Sequence, residues 1–307
     1  MSGARILPPF RRLLGQPREP QLSPLAASDY QRVLSVFNRQ TTCHLHQDWH
    51  TLRELIASPG LRGWVARDER KIEALTGATL TYPPPYHQRS DQPAAWLRIA
   101  YADPDSPASL IDRVWRALLD DLRANGARSI WLLVMEPWIA PIARRWGFRP
   151  ANTVISLRRH SFDIPASAAL KGVTLRAAQD SDFDALLKVD AAAFESMWQY
   201  DREMLDLARR HAASLTLLER DGRPVGYQLS TWHIDSGHLA RLAVVPDQQG
   251  LGLGGLLIED MLRFFAGRGT HTITVNTQED NHASQQVYKR YDFRRVSQQV
   301  AVWSLKL

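Results

Sequence analysis

A glycine-rich stretch at residues 244–255 indicates a binding function more clearly than any other segment of this chain. It reads Val-Val-Pro-Asp-Gln-Gln-Gly-Leu-Gly-Leu-Gly-Gly and leads from a β-branched strand end into an apolar helix at residues 256–265. Four glycines in six residues leave backbone N–H groups uncovered, and the first helical turn adds unpaired donors at the positive end of its dipole. Amides arranged in this way bind phosphate groups. The stretch therefore predicts a site for a phosphate-bearing ligand.

The spacing of the glycines argues against two common nucleotide motifs. A P-loop carries a lysine after its last glycine, and none follows here. The dinucleotide fingerprint Gly-x-Gly-x-x-Gly fits poorly, because Gly250, Gly252 and Gly254 alternate. The stretch does match Gln/Arg-x-x-Gly-x-Gly/Ala through Gln249, Gly252 and Gly254.

A second segment able to do chemistry lies at residues 281–293, which read Asn-His-Ala-Ser-Gln-Gln-Val-Tyr-Lys-Arg-Tyr-Asp-Phe. Asn281 is a good helix N-cap, and Asn281, Ser284 and Tyr288 share one helix edge. The two segments together resemble the motifs of the GNAT acyl-CoA N-acyltransferases, whose second signature is Asn-x-x-Ala/Ser-x-x-x-Tyr-x-x-x-Gly-Phe. Asp292 replaces the usual glycine, which is acceptable because Asp tolerates a left-handed helix cap.

The resemblance implies acetyl-CoA as the co-substrate, no metal, and direct attack of an amine on the acetyl carbon. The strand that ends in residues 242–244 would lend its backbone to the pantetheine arm and polarise the thioester. Tyr288 would protonate the departing thiolate, since a phenol with a reference pKa of ~10 keeps its proton at pH 7; the alternative is an aromatic ring packed beside Val287 and Tyr291. The predicted cofactor-binding residues are Leu242, Ala243, Val244, Gln249, Gly250, Leu251, Gly252, Leu253, Gly254, Gly255 and Asn281.

The proton of the acceptor amine needs a base. Many relatives place a Glu five residues ahead of the Ala of Leu-Ala-Val, and His238 holds that position here. Its reference pKa of ~6.5 suits a base acting directly or through water. The alternative is a solvent-exposed histidine at a strand end.

The acceptor site is expected between the first two helices of the second half, where the family contacts its acceptor. Glu195, Trp198 and Tyr200 lie in that stretch; the alternative is core packing of the helix junction. Arg241 cannot act as a base, but it could attract a carboxylate on the acceptor. Asp235 is a further residue that could shape the site.

The elements that would position these residues occur in GNAT order, β-α-α-β-β-β-α-β-α-β, from residue 173 to residue 305. The first half repeats the order, with helices at residues 28–37, 48–57, 109–124 and 138–146 and strands at 63–67, 72–82, 95–101 and 129–135. A repeat of about 140 residues indicates a duplicated domain. We therefore predict an α/β (α+β) fold with two tandem GNAT-like domains, each a mixed, mostly antiparallel central sheet flanked by helices. The boundaries are a flexible arm at 1–24, a degenerate domain at 25–160, a linker at 161–172 and a catalytic domain at 173–307.

The two copies are unequal at the phosphate loop. In the first copy, residues 103–108 read Asp-Pro-Asp-Ser-Pro-Ala. Prolines remove N–H donors and two carboxylates repel phosphate. This copy is therefore expected not to bind acetyl-CoA in the usual way, and to pack against the second copy or complete its acceptor cleft.

The composition of the chain says more about its size class and cellular compartment than about the reaction it could catalyse. A length of 307 residues accommodates two domains, and the single cysteine, Cys43, suits a reducing cytoplasm. No apolar run approaches the ~18 residues of a membrane span, and residues 1–24 lack a signal-peptide core. The net charge of +6 is spread along the chain, which favours anionic ligands such as coenzyme A over nucleic acid. The oligomeric state stays open.

Several alternatives remain open at this stage. Cys43, His44, His46 and His50 could form a zinc site, but a loop before the second helix is favoured. Residues 82–86, Tyr-Pro-Pro-Pro-Tyr, could be a polyproline ligand or a link between strands. The resemblance implies an amine acceptor, either a small molecule or a peptide α-amine; the tandem arrangement resembles the mycothiol synthases, and the C-terminal motifs resemble the ribosomal-protein N-terminal acetyltransferases. The rival function is a non-catalytic acetyl-CoA-binding or partner-binding scaffold, against which the intact Tyr288 argues.

Overall fold

The computed structural model describes residues 19–39, 41–68, 71–81 and 93–307, and these form two sequential halves with similar element order. The first half contains β1 (Gln21–Pro24), α1 (Tyr30–Phe37), β2 (Cys43–Leu45), α2 (Leu52–Ala57), β3 (Leu61–Arg67), β4 (Ile72–Thr81), β5 (Ala94–Ala102), α3 (Ala108–Ala124), β6 (Ser129–Val134), α4 (Ile139–Arg145) and β7 (Arg149–His160). The second half contains β8 (Val173–Ala177), α5 (Phe183–Ala193), α6 (Arg202–Arg210), β9 (Ser214–Arg220), β10 (Arg223–His233), β11 (Ser236–Val244), α7 (Leu253–Ala266), β12 (Thr272–Gln278), α8 (His282–Arg290) and β13 (Arg294–Lys306). The predicted fold class is confirmed.

The two halves exchange their last strands within one continuous sheet. The strand order is β1-β3-β4-β5-β6-β13-β7-β12-β11-β10-β9-β8, with β2 paired to β5 outside this path. Strand β7 pairs with β12 of the second half, and β13 pairs with β6 of the first half. Each half therefore completes the sheet of the other, and the predicted sequence boundary at residue 160 does not coincide with a boundary in the sheet.

Helices α3 and α7 pack on the sheet at equivalent positions of the two halves. Helix α7 buries Leu257, Ile258, Met261, Leu262 and Phe265, which recur at helical spacing. Burying a side chain of this kind stabilises the fold by about 1.5–3 kcal/mol. This packing holds the helix start, and with it the glycine loop, against the strands.

Three sequence predictions differ from the structure in the first half. Residues 21–24, assigned to a flexible arm, form β1 and pair with residues 64–67 of β3. The second helix begins at Leu52 instead of residue 48, because Asp48 has a left-handed backbone (φ 49°) and Thr51 caps the helix by accepting from Glu54 N. Residues 43–45, assigned to a loop, form β2.

The Tyr-Pro-Pro-Pro-Tyr segment at 82–86 lies outside the described residues. Within the described ranges, no helix is both long enough and apolar enough to cross a membrane.

Candidate active site

Strands β11 and β12 run parallel and then separate. They pair only from Ser236↔Thr272 to Leu239↔Val275. Opposite β10, the register passes from Leu229↔Arg241 to Ser230↔Leu239, so the intervening residue 240 forms a bulge. Beyond this point the edge of β11 at residues 240–244, which carries the predicted Leu242, Ala243 and Val244, faces no strand among those described. An unpaired strand edge can hydrogen-bond an extended, amide-containing ligand.

The glycine loop supplies free donors at one end of this edge. Gly250 and Gly252 have left-handed backbones (φ 77° and 85°), which turn the chain into α7. No acceptor among the described residues pairs with the amides of the predicted residues Gly250, Leu251, Gly252, Leu253 and Gly254. These amides lie at the positive end of α7 and can bind a phosphate group.

Two predicted loop residues have structural tasks instead. The Gly255 amide donates to Gly252 O at 3.0 Å, so it is not free for a ligand. A Cβ at Gly255 would lie 2.8 Å from the Tyr291 hydroxyl, which explains the need for glycine. Gln249 turns its side chain back, and its Nε2 donates to Val244 O at 2.9 Å. Gly255 and Gln249 therefore shape the loop.

Helix α8 places Tyr288 in the hydrophobic core of the second half, the half to which the open edge of β11 belongs. Asn281 caps the helix by accepting from Ser284 N at 3.1 Å, which leaves its side-chain amide nitrogen as the group available to a ligand. Tyr288 is 5% exposed and packs 5.8 Å from the Phe293 ring. The described residues offer its hydroxyl no hydrogen-bond partner, and burial raises the pKa of Tyr288 above its ordinary value. The phenol is therefore protonated at neutral pH and can serve as a proton donor.

His238 is held in one tautomer on β11. Thr274 Oγ1 donates to Gly237 O at 3.3 Å, so it accepts from His238 Nδ1 at 2.9 Å. The Nε2 lone pair is thereby left for a ligand. Burial, with a contribution from nearby His233, lowers the pKa of His238 to about 4. The imidazole is neutral at pH 7 and able to accept a proton, although as a weak base.

A cavity of about 790 Å³ lies between the two halves next to His238. The second half contributes Trp198 and Tyr200, which the sequence analysis assigned to an acceptor site. The first half contributes residues that the sequence interpretation did not assign to the acceptor site: His46, Asp48, Trp49, Trp96 and Arg98. The sequence had marked only the His46 region, and for a zinc site, because strand pairing distant in sequence brings these residues together.

The structure does not place Glu195 and Arg241 in the cavity wall. Glu195 is exposed outside it. Arg241 is buried, binds both oxygens of Asp190 at 2.7 and 2.8 Å, and donates to Trp198 O at 2.6 Å. Its guanidinium also lies over the Tyr200 ring at 3.9 Å. The carboxylate-binding role predicted for Arg241 is therefore replaced by a positioning one, since its hydrogen bonds hold the cavity loop.

The equivalent strand edge in the first half is closed by the chain itself. Strands β5 and β6 pair in parallel only from Ala94↔Ser129 to Trp96↔Trp131 and then separate. Strand β2 occupies the opening by pairing residues 43–45 with residues 99–101 of β5. His46 N and Ala102 N extend the ladder with bonds to Arg98 O and Thr42 O. A ligand could not pair with this edge without displacing β2.

Two of the residues considered for a zinc site have carboxylate partners in this arrangement. His44 Nδ1 lies 2.7 Å from Glu136 Oε2, and His46 Nε2 lies 2.7 Å from Asp48 Oδ1. In the part of the chain that the structure describes, no group of three or more His, Cys, Asp or Glu side chains has metal-binding geometry.

Comparisons with known proteins agree with this asymmetry. Residues 181–293 match the family model described as the acetyltransferase (GNAT) family. A mycothiol acetyltransferase from Pseudarthrobacter chlorophenolicus is 29% identical over 201 residues, which are 60% of this chain and 62% of the relative. A putative [ribosomal protein bS18]-alanine N-acetyltransferase from Bacillus subtilis is 24% identical over 111 residues, covering 36% of this chain and 73% of that protein.

The match to the mycothiol acetyltransferases spans about three fifths of their length. Among solved structures, a tandem GNAT protein from the clavulanic acid biosynthesis pathway aligns with a TM-score of 0.60 at 17% identity, over 94% of this chain and 98% of that one. This similarity extends the shared fold to both halves. Residues 181–293 are therefore similar to the GNAT acetyltransferases, and the chain has the fold of a tandem GNAT protein.

Proposed function

We propose that the protein transfers an acetyl group from acetyl-CoA to an amine in the cavity between its halves. The observation that carries the proposal is the open edge of β11, which begins at the bulge beside His238 and ends at the glycine loop with its five free amides. The amides would bind the pyrophosphate, and the edge at residues 240–244 would pair with the pantetheine arm. The equivalent edge in the first half is occupied by β2, so we expect one acetyl-CoA per chain.

In this proposal His238 accepts a proton from the acceptor amine and Tyr288 donates one to the leaving thiolate. The acceptor amine loses a proton to His238 Nε2, directly or through water, and its nitrogen attacks the thioester carbonyl carbon. The C–S bond then breaks as the carbonyl reforms, Tyr288 gives its proton to the sulfur, and the surplus proton on the new amide nitrogen returns through water to the Tyr288 oxygen. A neutral histidine and a protonated tyrosine are the states that their burial favours.

The relatives indicate two acceptor classes. The mycothiol acetyltransferases point to a small molecule, and the [ribosomal protein bS18]-alanine N-acetyltransferase points to a peptide α-amine. A cavity of about 790 Å³ lined by Trp49, Trp96 and Trp198 accommodates either a small molecule or the end of a peptide. The proposal therefore covers both.

The test combines binding with turnover. Acetyl-CoA should raise the melting temperature and bind with a stoichiometry of one per chain by calorimetry, whereas NAD and ATP should do neither. Thiol release from acetyl-CoA should then accelerate with at least one member of a panel of small amines and peptides. Binding without turnover for every amine would favour a non-catalytic module. A thermal shift with NAD or ATP but none with acetyl-CoA would refute the proposal.

A further inference from the structure

We infer that Arg98, a residue of the degenerate first half, determines acceptor specificity by donating a hydrogen bond to an uncharged oxygen near the acceptor amine. The preferred acceptors are then amines with a neighbouring amide carbonyl or hydroxyl, and those with a neighbouring carboxylate are disfavoured. This inference rests on the proposed function, because it concerns the acceptor of the same cavity.

The Arg98 guanidinium is fixed in the wall of the cavity. Arg98 is 5% exposed on β5 and lines the cavity. Its Nε donates to Thr79 Oγ1 at 2.8 Å, and its Nη1 bonds to Asp48 Oδ2 and to His46 Nδ1. Its Nη2 has no acceptor among the described residues. Since Nη2 is not fully buried, it opens onto the cavity, where a donor fixed in this way is suited to a ligand oxygen.

The charge of the groups around the Arg98 Nη2 donor determines which kind of ligand oxygen it can bind. Burial alone would raise the pKa of Asp48, but the charge of Arg98 and the hydrogen bond from His46 hold that pKa well below its ordinary value. Burial keeps the pKa of His46 below its ordinary value, so this imidazole is neutral at pH 7. The cluster of Arg98, Asp48 and His46 is therefore neutral as a whole.

Neutrality selects the kind of oxygen that can bind. A carboxylate on the acceptor would lose its hydration and would meet the negative charge of Asp48, with no uncompensated positive charge in return. A carbonyl or hydroxyl oxygen would accept from Nη2 without either cost. The geometry thus favours an uncharged oxygen.

Hydrogen bonds join the first half to the loop at residues 197–200 of the second half. His46 N donates to Arg98 O at 2.7 Å, which fixes β2 and the cluster together. Trp49 Nε1 donates to Tyr200 OH at 2.9 Å, and Trp96 Nε1 donates to Met197 O at 3.0 Å. These bonds hold the Arg98 donor at a constant position relative to the loop at residues 197–200.

The test uses four acceptors built on one amino-acid side chain: the amide, the amino alcohol, the free acid and the amine without an oxygen. The wild type should favour the amide and the alcohol in kcat/KM. Arg98→Met should lower kcat/KM for these two by about 10- to 100-fold, the range for a hydrogen bond to a charged donor. The loss for the oxygen-free amine should be smaller than for the amide and the alcohol, and the KM for acetyl-CoA should change less than twofold. Arg62→Met is the matched control, because Arg62 bonds Asn125 away from the cavity.

Asp48→Asn supplies a change of opposite direction. It removes the compensating charge, so it should raise kcat/KM for the free acid relative to the amide by about tenfold. Arg98→Lys, which keeps the charge without the planar fork, serves if Arg98→Met does not fold. An equal loss for all four acceptors, or a wild type that favours the free acid, would overturn the inference.

Binding of the same four compounds, followed by the fluorescence of the cavity tryptophans, separates this inference from the proposed function. Binding of the amide that depends on Arg98 without acetyl transfer would refute only the proposed function. Transfer and binding that are both indifferent to Arg98 would refute only the inference.

Discussion

Removing the Tyr288 hydroxyl should abolish most of the turnover without unfolding the protein. The Tyr288 ring is 5% exposed in a core shared with Phe293, and Tyr288→Phe retains that ring. Because the described residues give the hydroxyl no partner, its removal leaves no donor or acceptor unsatisfied, and the free energy of unfolding should change by less than about 1 kcal/mol. A loss of activity would then belong to the chemistry.

The size of the loss follows from the role of the group. A positioned general acid contributes about 10²- to 10⁴-fold to the rate, which corresponds to about 3–5 kcal/mol of activation free energy. Since the proposed role of the hydroxyl is to protonate the leaving sulfur, kcat should fall by this factor. The KM for acetyl-CoA should stay within about threefold, because the glycine-loop amides and the edge of β11 are untouched.

The assay is thiol release at saturating acetyl-CoA, with melting temperatures recorded for each variant. Tyr101→Phe is a matched control, because Tyr101 is a buried tyrosine, 2% exposed, on the closed strand β5 of the first half. It should alter kcat by less than twofold. If Tyr288→Phe retained more than a third of the wild-type kcat, Tyr288 would not be the acid and its burial would be a matter of packing.

Three further results are expected. Gly255→Ala should destabilise the fold by about 1–3 kcal/mol through overpacking and weaken acetyl-CoA binding, because the new Cβ would lie 2.8 Å from the Tyr291 hydroxyl. Adding Tyr291→Phe should recover part of the lost stability and part of the lost binding, both measured by calorimetry. No recovery would contradict the assigned clash. Burial lowers the pKa of His238 in the folded state to about 4, below its unfolded value of ~6.5. The stability that the neutral imidazole contributes is therefore complete above pH 6.5, and about 3 kcal/mol of the free energy of unfolding is lost as the pH falls from 6.5 to 4. In urea unfolding, His238→Gln should lose stability less steeply with falling pH than the wild type, and equal slopes would contradict this. Asp190→Asn should cost about 3–5 kcal/mol, because it leaves the buried Arg241 without its counter-ion; a loss under 1 kcal/mol in the same measurement would show that the ion pair is dispensable.

The sequence was most informative where local chemistry decides the structure. The glycine stretch, the helix cap at Asn281 and the element order all depend on short-range effects such as left-handed glycines and unpaired helix donors, and they predicted the fold class correctly. The exchange of β7 and β13 escaped prediction, because both strands are extended and apolar enough to pair with either half. Strand register over such distances in sequence is set by packing and not by local preference.

The residues of the cavity between the halves were likewise only partly predictable from local sequence. Trp198 and Tyr200 could be assigned from their place between two helices, but Arg98 could not, because it lies within a buried strand and its partners are 50 and 52 residues away. Arg241 was misinterpreted for a related reason: a lone arginine in a sequence does not reveal a buried counter-ion such as Asp190, 51 residues away.

The two halves use one structural feature for different purposes. In each, a pair of parallel strands separates and leaves a row of backbone donors and acceptors. Buried backbone groups of this kind must be paired, so the row either stays open to a ligand, as at residues 240–244, or is closed from within, as at residues 98–102. Closing the row with β2 brings residues 46–49 to the central cavity, where they adjoin the loop of the second half. The closing of one strand edge and the gain of a wall for the proposed acceptor cavity are therefore consequences of the same three-residue strand.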